Sequence, residues 1–212
     1  MLREHLVLFF PDQSPNTTCI AAFGRHFGPP RPIRTSRIRS PIIPRFELVA
    51  PRGGIADEWH SDITFQPNPS VYAILHMVRC LAVGGDTMWA NMYQAYEALS
   101  APMRELCDGL SALHDAAPHG RSDITAIHPV VRVHPETGRR SLFVNEHFTR
   151  RIVEMSHEES ANLLGYLTRW VSSPDHGAGA GSRELLPCGT TAARSTMSST
   201  TSTRNGSSSG SP

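Results

Sequence analysis

The sequence predicts a mainly β domain with helices inserted between the strands. Short runs rich in β-branched and aromatic residues recur along its 212 residues, and glycine- and proline-containing turns separate them. Helical periodicity is confined to a few stretches, which a capping residue or a proline bounds. Many short strands arranged in this way are typical of a double-sheet jelly roll, the double-stranded β-helix.

The strands are expected where apolar or alternating runs of four or more residues lie between turn signals. These runs are 6–10, 46–49, 58–65, 71–80, 127–132 and 141–145, with a further short strand after the Gly84-Gly85 turn. Residues 134–139 (HPETGR) have the composition of a hairpin turn.

Three stretches are expected to be helical. Residues 17–27 end at Gly28-Pro29-Pro30, and Ser156 with Glu159 forms a capping box before a helix that ends near Trp170. A helical run over 92–113 is predicted to break at Ser100-Ala101-Pro102, with Leu106, Leu110 and Leu113 as its buried stripe.

The chain divides into a domain over 1–175 and a tail over 176–212. Residues 177–212 contain no Val, Ile, Phe, Tyr or Trp and are mostly Gly, Ser, Thr and Ala, which predicts a disordered tail. At the other end the sequence enters a buried strand after only a few residues. We therefore expect a partial domain that has lost an N-terminal piece.

Composition excludes several classes of partner. The formal net charge is +1, so no nucleic-acid partner is expected, and no apolar run is long enough to cross a membrane. Four scattered cysteines without a C-x-x-C pair, and no signal peptide, indicate a cytoplasmic protein. A small-molecule substrate is expected, and a chain that lacks strands would tend to form homo-oligomers.

A candidate metal-binding pair lies in the sequence 58–65 (EWHSDITF). Residues two apart in an extended strand share a face, so His60 and Asp62 would present an imidazole and a carboxylate side by side. These are two corners of the two-histidine, one-carboxylate triad that binds Fe(II) and leaves positions open. An H-x-D pair alone is common, and an exposed polar strand is the alternative interpretation.

Several motifs in order make the chain resemble the taurine dioxygenase (TauD/TfdA) family over about residues 5–175. They are 59–65 (WHSDITF), 84–89 (GGDTMW), 95–100 (AYEALS), 128–138 (HPVVRVHPETG) and 142–146 (LFVNE). The resemblance implies a jelly roll with Fe(II) as cofactor, 2-oxoglutarate and O₂ as co-substrates, and succinate and CO₂ as products. The expected substrate is a small organic anion such as a sulfonate or sulfate ester.

The resemblance also assigns roles to individual residues. It implies that His60 and Asp62 bind the iron, that Thr87 binds a carboxylate oxygen of 2-oxoglutarate, and that Trp59 forms a wall of the site. The family's third ligand lies in a distal Trp-Asp-Asn-Arg-x-x-x-His-Tyr motif, and a later Arg pairs with 2-oxoglutarate. Neither motif is in this sequence.

A one-base shift of the reading frame restores the missing motif. Read from the third base of each codon, the permitted codons of 178–212 include Trp-Asp-Asn-Arg-x-x-x-His-Tyr at the family's spacing, followed by Arg-x-x-x-Arg-Val-Thr. All 20 basic residues are Arg, which indicates a GC-rich gene in which long shifted frames without stops are expected. The hypothesis is that the tail is an out-of-frame product. The alternative is an ordinary low-complexity tail.

Three functional interpretations remain open. The first is a TauD/TfdA-type dioxygenase. The second is a catalytically defective remnant that keeps the fold without turnover, because the distal His and Arg are missing. The third, a zinc hydrolase built on His60 and Asp62, lacks a third ligand at a standard spacing. For the dioxygenase, His176 is a candidate replacement for the family's missing third iron ligand. The histidines interpreted as surface or structural residues are His5, His26, His76, His114 and His119. His128 and His134 match the family without being ligands.

Overall fold

The computed structural model describes residues 1–28, 58–77, 86–172, 191–195 and 199–204. Within these ranges the chain is mainly antiparallel β, with helices between the strands. The strands are β1 Val7–Phe10, β2 Tyr72–His76, β3 Asp86–Asn91, β4 Ser111–Ala116, β5 Arg121–Pro129, β6 Val131–Val133, β7 Arg140–Leu142, β8 Thr149–Ile152, β9 Thr191–Ser195 and β10 Ser199–Arg204. The helices are α1 Leu2–His5, α2 Thr17–Arg25, α3 Met92–Glu97, α4 Ala101–Asp108 and α5 His157–Ser172.

The described strands form small antiparallel sheets. Their orders are β1-β9-β2, β10-β3, β5-β4-β8 and β6-β7. The β5-β4-β8 sheet lies next to the H-x-D segment. Strand β4 supplies His114, and β8 begins at Thr149, directly after the turn that carries His147.

The main apolar core packs α3 and α5 against strands β3, β4, β7 and β8. Its fully buried side chains include Met92, Leu142, Ile152 and Leu167. Trp59, one residue before His60, packs against this core. A smaller cluster of Ile63, Phe65, Ala116 and Phe148 lies directly under the H-x-D segment.

Local signals in the sequence placed several elements correctly. The predicted helix at 17–27 is α2, whose N-cap Asn16 accepts a hydrogen bond from the backbone N–H of Cys19 at 2.9 Å. The capping box before α5 is confirmed: the Ser156 hydroxyl and backbone N–H both contact Glu159 Oε2, at 2.7 and 3.0 Å. The turn at 134–139 joins β6 and β7 as a hairpin.

The single broken helix predicted over 92–113 is wrong in its last part. Helix α4 ends at Asp108 with Gly109 as its C-cap, and residues 111–116 form β4. Burial in β4 alternates, so that Ala112, His114 and Ala116 are buried while Leu113 is only half-buried. Leu106 is 43% exposed, so the predicted leucine stripe is not the buried face.

The tail also differs from its predicted disorder. Residues 191–195 form β9, which pairs with β1 on one side and β2 on the other, and residues 199–204 pair with β3. Unpaired backbone groups at strand edges favour added strands, and threonine is a good strand residue. The rest of the tail and the predicted strand at 46–49 lie outside the described residues. No helix in the described part of the chain is long and apolar enough to span a membrane.

Candidate functional site

The H-x-D segment is not the continuous strand that the sequence predicts. His60 makes an isolated β-bridge, and residues 62–65 form a turn closed by a hydrogen bond from Gln66 N to Ile63 O at 3.0 Å. Ile63 adopts a φ of 49°, a left-handed conformation that is costly for a β-branched residue. Such strain persists only where the surroundings impose it, and it is concentrated at functional sites.

The turn nevertheless brings the predicted pair together. His60 Nε2 lies 3.6 Å from Asp62 Oδ1, and the two side chains are 21% and 37% exposed. Two ligand atoms that bind one metal at about 2.1 Å, with an angle of 90–120° between them, lie roughly 3.0–3.6 Å apart. The pair therefore fits a shared divalent cation.

The orientation of the His60 ring is also suited to metal binding. His60 Nδ1 donates a hydrogen bond to the backbone carbonyl of Glu58 at 3.0 Å. That bond places the proton on Nδ1 and the lone pair on Nε2, the nitrogen that faces Asp62. A backbone carbonyl in this position is a common outer-shell partner of a metal-binding histidine.

Two further histidines stand around His60, and sequence reasoning missed them as part of the site. The His147 ring centroid lies 5.6 Å from that of His60, and the His119 centroid lies 6.1 Å from that of His147. His147 Nδ1 is 2.6 Å from Glu58 Oε2. The Phe148 ring contacts all three imidazoles, with centroid distances of 4.5, 5.5 and 6.3 Å to His147, His119 and His60. We call His60, His119 and His147 the outer cluster.

Burial lowers the pKa of His119, and the charges that His147 and His60 would carry lower it further. His119 is therefore harder to protonate than an isolated imidazole. No sequence spacing pointed to the outer cluster, because His147 and Glu58 are 89 positions apart.

A buried polar network supports the turn from below. The Thr64 hydroxyl is 3.0 Å from His114 Nδ1 and accepts a hydrogen bond from Asn145 Nδ2 at 3.3 Å. His128 Nε2 donates to the carbonyls of Thr64 and Gln66 at 2.9 and 3.0 Å. These bonds tie the residues that follow Asp62 to the β5-β4-β8 sheet.

The histidines of this network, His114 and His128, form the inner cluster, with ring centroids 5.4 Å apart. His114 is fully buried, and burial, followed by the charges of His128, Arg132 and Arg150, lowers its pKa from 6.5 to about 3. Burial is also the main cause of the lowered pKa of His128. Both rings are therefore neutral structural groups, which agrees with the sequence interpretation that neither is a ligand.

The other predicted site residues lie close to the core. Thr87 is 6% exposed on β3, and its partner in the strand register is Thr203 of β10. The Trp59 carbonyl accepts a hydrogen bond from Glu146 N at 3.1 Å, which links the H-x-D segment to the turn that carries His147. The role of Thr87 toward 2-oxoglutarate stays a prediction, and His176 lies outside the described residues.

Only two of the predicted ligand side chains, those of His60 and Asp62, lie close enough together to share one metal ion. Within the described ranges, no three His, Cys, Asp or Glu side chains surround one point in a way that would hold a metal ion. His60 and Asp62 supply one neutral nitrogen and one anionic oxygen, a donor set that suits Fe(II) as well as other divalent metals.

Two relatives of known class are similar to this chain over most of its length. The alpha-ketoglutarate-dependent sulfonate dioxygenase of Saccharomyces cerevisiae is 30% identical over 186 residues, which are 77% of this chain and 45% of that protein. The alpha-ketoglutarate-dependent sulfate ester dioxygenase of Pseudomonas putida is 33% identical over 193 residues, 79% of this chain and 64% of that protein. The chain spans about half the length of the first of these relatives.

A solved structure extends the similarity to the fold. The crystal structure of a taurine dioxygenase from Burkholderia xenovorans superposes with a TM-score of 0.77 at 30% identity, covering 96% of this chain and 73% of that one. A family model described as taurine catabolism dioxygenase TauD, TfdA family matches residues 1–177. The chain therefore belongs to the TauD/TfdA family.

Proposed function

We propose that this protein is an Fe(II)- and 2-oxoglutarate-dependent dioxygenase. Its substrate is a small organic anion of the sulfonate or sulfate ester class, and its products include succinate and CO₂. The observation that carries the proposal is the His60–Asp62 pair, with its donor atoms 3.6 Å apart and its imidazole proton held by the Glu58 carbonyl.

Family membership and the relatives support the type of reaction and the substrate class. Relatives at 30% and 33% identity are named as dioxygenases of sulfonates and of sulfate esters, both dependent on alpha-ketoglutarate. We extend to this chain the double-stranded β-helix of that family, since its described strands are short and antiparallel as that fold requires.

Each residue of the site has a defined task in this proposal. His60 Nε2 and Asp62 bind the metal, the Glu58 carbonyl fixes the His60 tautomer, and Thr87 binds a carboxylate oxygen of 2-oxoglutarate. The chemistry that Fe(II) supplies in such a site is activation of O₂, coupled to oxidative decarboxylation of 2-oxoglutarate. Phe65 and Phe148 form an apolar floor that keeps water away from the reacting groups.

The proposal places the protein in the cytoplasm, acting on a small molecule and without a nucleic-acid or membrane partner. We also propose that the chain forms homo-oligomers, and size-exclusion chromatography with light scattering measures this directly.

The test is a turnover assay under defined conditions. The purified chain receives Fe(II), 2-oxoglutarate and O₂ with a panel of alkylsulfonates, alkyl sulfates and aryloxyacetates, and NMR measures succinate. We expect succinate formation that depends on one of the sulfur compounds and is lost in His60→Ala. Metal binding without turnover would instead indicate the catalytically defective remnant.

Resequencing the gene across the codons for 165–212 tests the frame hypothesis separately. A restored base would return the family's distal histidine and arginine to the chain. A confirmed frame would leave the metal with only the ligands that the printed sequence supplies.

A further inference from the structure

Trp89, on strand β3, has a buried hydrogen-bond donor that the protein does not use. Its indole Nε1 is buried, and within the described residues no acceptor forms a hydrogen bond with it. An indole N–H can only donate, and a buried donor without a partner is costly and rare in folded proteins. Trp170 shows the ordinary case, because its Nε1 donates to the backbone carbonyl of Ala95 at 2.9 Å.

The alternation of β3 places Trp89 on the same face as Thr87, since residues two apart in a strand share a face. Ala90, on the opposite face, is 1% exposed and belongs to the main apolar core. The Trp89 ring instead meets the Phe9 ring of β1 edge-on, with centroids 5.5 Å apart and planes at 76°. The Trp89 N–H and the Thr87 hydroxyl are therefore two donors on the face of β3 that turns away from the main core.

The spacing of these two residues suits one carboxylate. Residues two apart in a strand are separated by about 6.6 Å along the chain. An ionised carboxylate has two oxygens that only accept, and charge-assisted hydrogen bonds to them are about 2.5–2.9 Å long. Each donor can therefore bond one oxygen of the same group. Thr87 is only 6% exposed, so water competes little for such bonds.

We propose that Trp89 binds the co-substrate, and that its indole N–H donates to the same 2-oxoglutarate carboxylate that Thr87 binds. The inference rests on the proposed function, which assigns that carboxylate to Thr87. It gives the carboxylate a second donor, and it gives the buried N–H of Trp89 the acceptor that the described residues do not provide.

The first test is the affinity for 2-oxoglutarate, measured by isothermal titration in the presence of Zn(II), a divalent metal without redox chemistry. Trp89→Phe keeps an aromatic ring against Phe9 and removes the N–H. It is expected to weaken binding by about 10–100-fold, the effect of losing one hydrogen bond to a charged group. Trp170→Phe is the matched control and is expected to change the affinity by less than about twofold. An unchanged affinity in Trp89→Phe overturns the inference.

Urea unfolding without 2-oxoglutarate separates binding from a structural role. Trp170→Phe breaks the hydrogen bond to the Ala95 carbonyl, whereas Trp89→Phe removes a donor that has no partner in the described protein. Trp89→Phe is therefore expected to lower the urea midpoint less than Trp170→Phe does. A midpoint lowered more in Trp89→Phe than in Trp170→Phe would show that the Trp89 N–H is a structural group, which overturns the inference.

The indole ¹H–¹⁵N signals of the unmodified chain test the contact without relying on a variant's stability. The chain has three tryptophans, and the signal that is lost in Trp89→Phe identifies Trp89. Adding 2-oxoglutarate with Zn(II) is expected to shift the Trp89 signal to higher proton frequency and to leave the Trp170 signal in place. A Trp89 signal that does not move while 2-oxoglutarate binds overturns the inference and leaves the proposed function standing. Failure of the unmodified chain to bind 2-oxoglutarate overturns both.

Discussion

The outer and inner histidine clusters both contact the turn at residues 62–65, but they differ in burial and in hydrogen-bond partners. His60 and His147 of the outer cluster are partly exposed, and oxygens of Glu58 fix their protons. His114 of the inner cluster is fully buried and bonded to neutral hydroxyl groups. The same side chain is thus a proposed metal ligand at His60 and a neutral core group at His114, and burial and hydrogen-bond partners make the difference.

The largest effect is expected from breaking the outer cluster at its metal-binding pair. His60→Ala or Asp62→Ala removes one of two adjacent ligands, so metal affinity and succinate formation should fall by more than about 100-fold, beyond the loss of an outer-shell group. Stability of the metal-free chain should change little, because both side chains are partly exposed. Isothermal titration with Co(II) and urea unfolding of the same samples measure both. A large loss of stability would mean that the pair is structural.

The inner cluster is expected to respond in the opposite way. His114→Ala leaves a cavity in the core and removes the partner of the Thr64 hydroxyl, which should lower the free energy of unfolding by about 2–4 kcal/mol. Urea unfolding at pH 7.5 measures this loss. A metal affinity that falls as much as in His60→Ala while the stability stays unchanged would contradict the division between the clusters.

A pH titration sharpens the comparison further. Unfolded chains bind a proton at His114 below pH 6.5, whereas the folded chain stays neutral there until about pH 3. The contribution of neutral His114 to the free energy of unfolding is therefore complete above pH 6.5. It is lost as the pH falls from 6.5 toward about 3, by about 1.4 kcal/mol per pH unit. Urea unfolding at pH 7.5 and pH 5.5 should show this decrease, and it should be smaller in His114→Gln. Equal slopes in both proteins would show that His114 is not the group responsible.

The smallest effect is expected from His119, an exposed member of the outer cluster. Its ring packs on Phe65 and Phe148 at centroid distances of 5.8 and 5.5 Å. Substitutions at exposed positions usually change stability by less than about 0.5 kcal/mol. We expect His119→Ala to stay within that range in urea unfolding. A loss as large as that of His114→Ala would place His119 with the inner cluster.

The sequence predicted that the His60 and Asp62 side chains lie together, for a reason that was only partly correct. The two-residue spacing suggested a shared strand face, but the structure joins His60 and Asp62 across the start of a turn with a left-handed Ile63. No local propensity favours that conformation at a β-branched residue. The buried network below Thr64 supplies the tertiary contacts that hold it.

The predicted leucine stripe is a second case in which local sequence did not determine the structure. Leu106, Leu110 and Leu113 have helical spacing, but Gly109 ends α4 between them, and the chain continues as β4. A short apolar run does not distinguish a helix from a buried strand. The register with β5 and β8 decides the outcome, because it buries Ala112 and His114 in the middle of the sheet.

The sequence by itself determined the mainly β character, the caps and the hairpin turn, since each depends on residues within a few positions of one another. It also determined the family, because several motifs occur in order. Only the tertiary structure decided that His147 joins His60 through Glu58 and that β9 and β10 pair with distant strands. Those contacts join residues far apart in the chain, and only the packing of the whole domain brings them together.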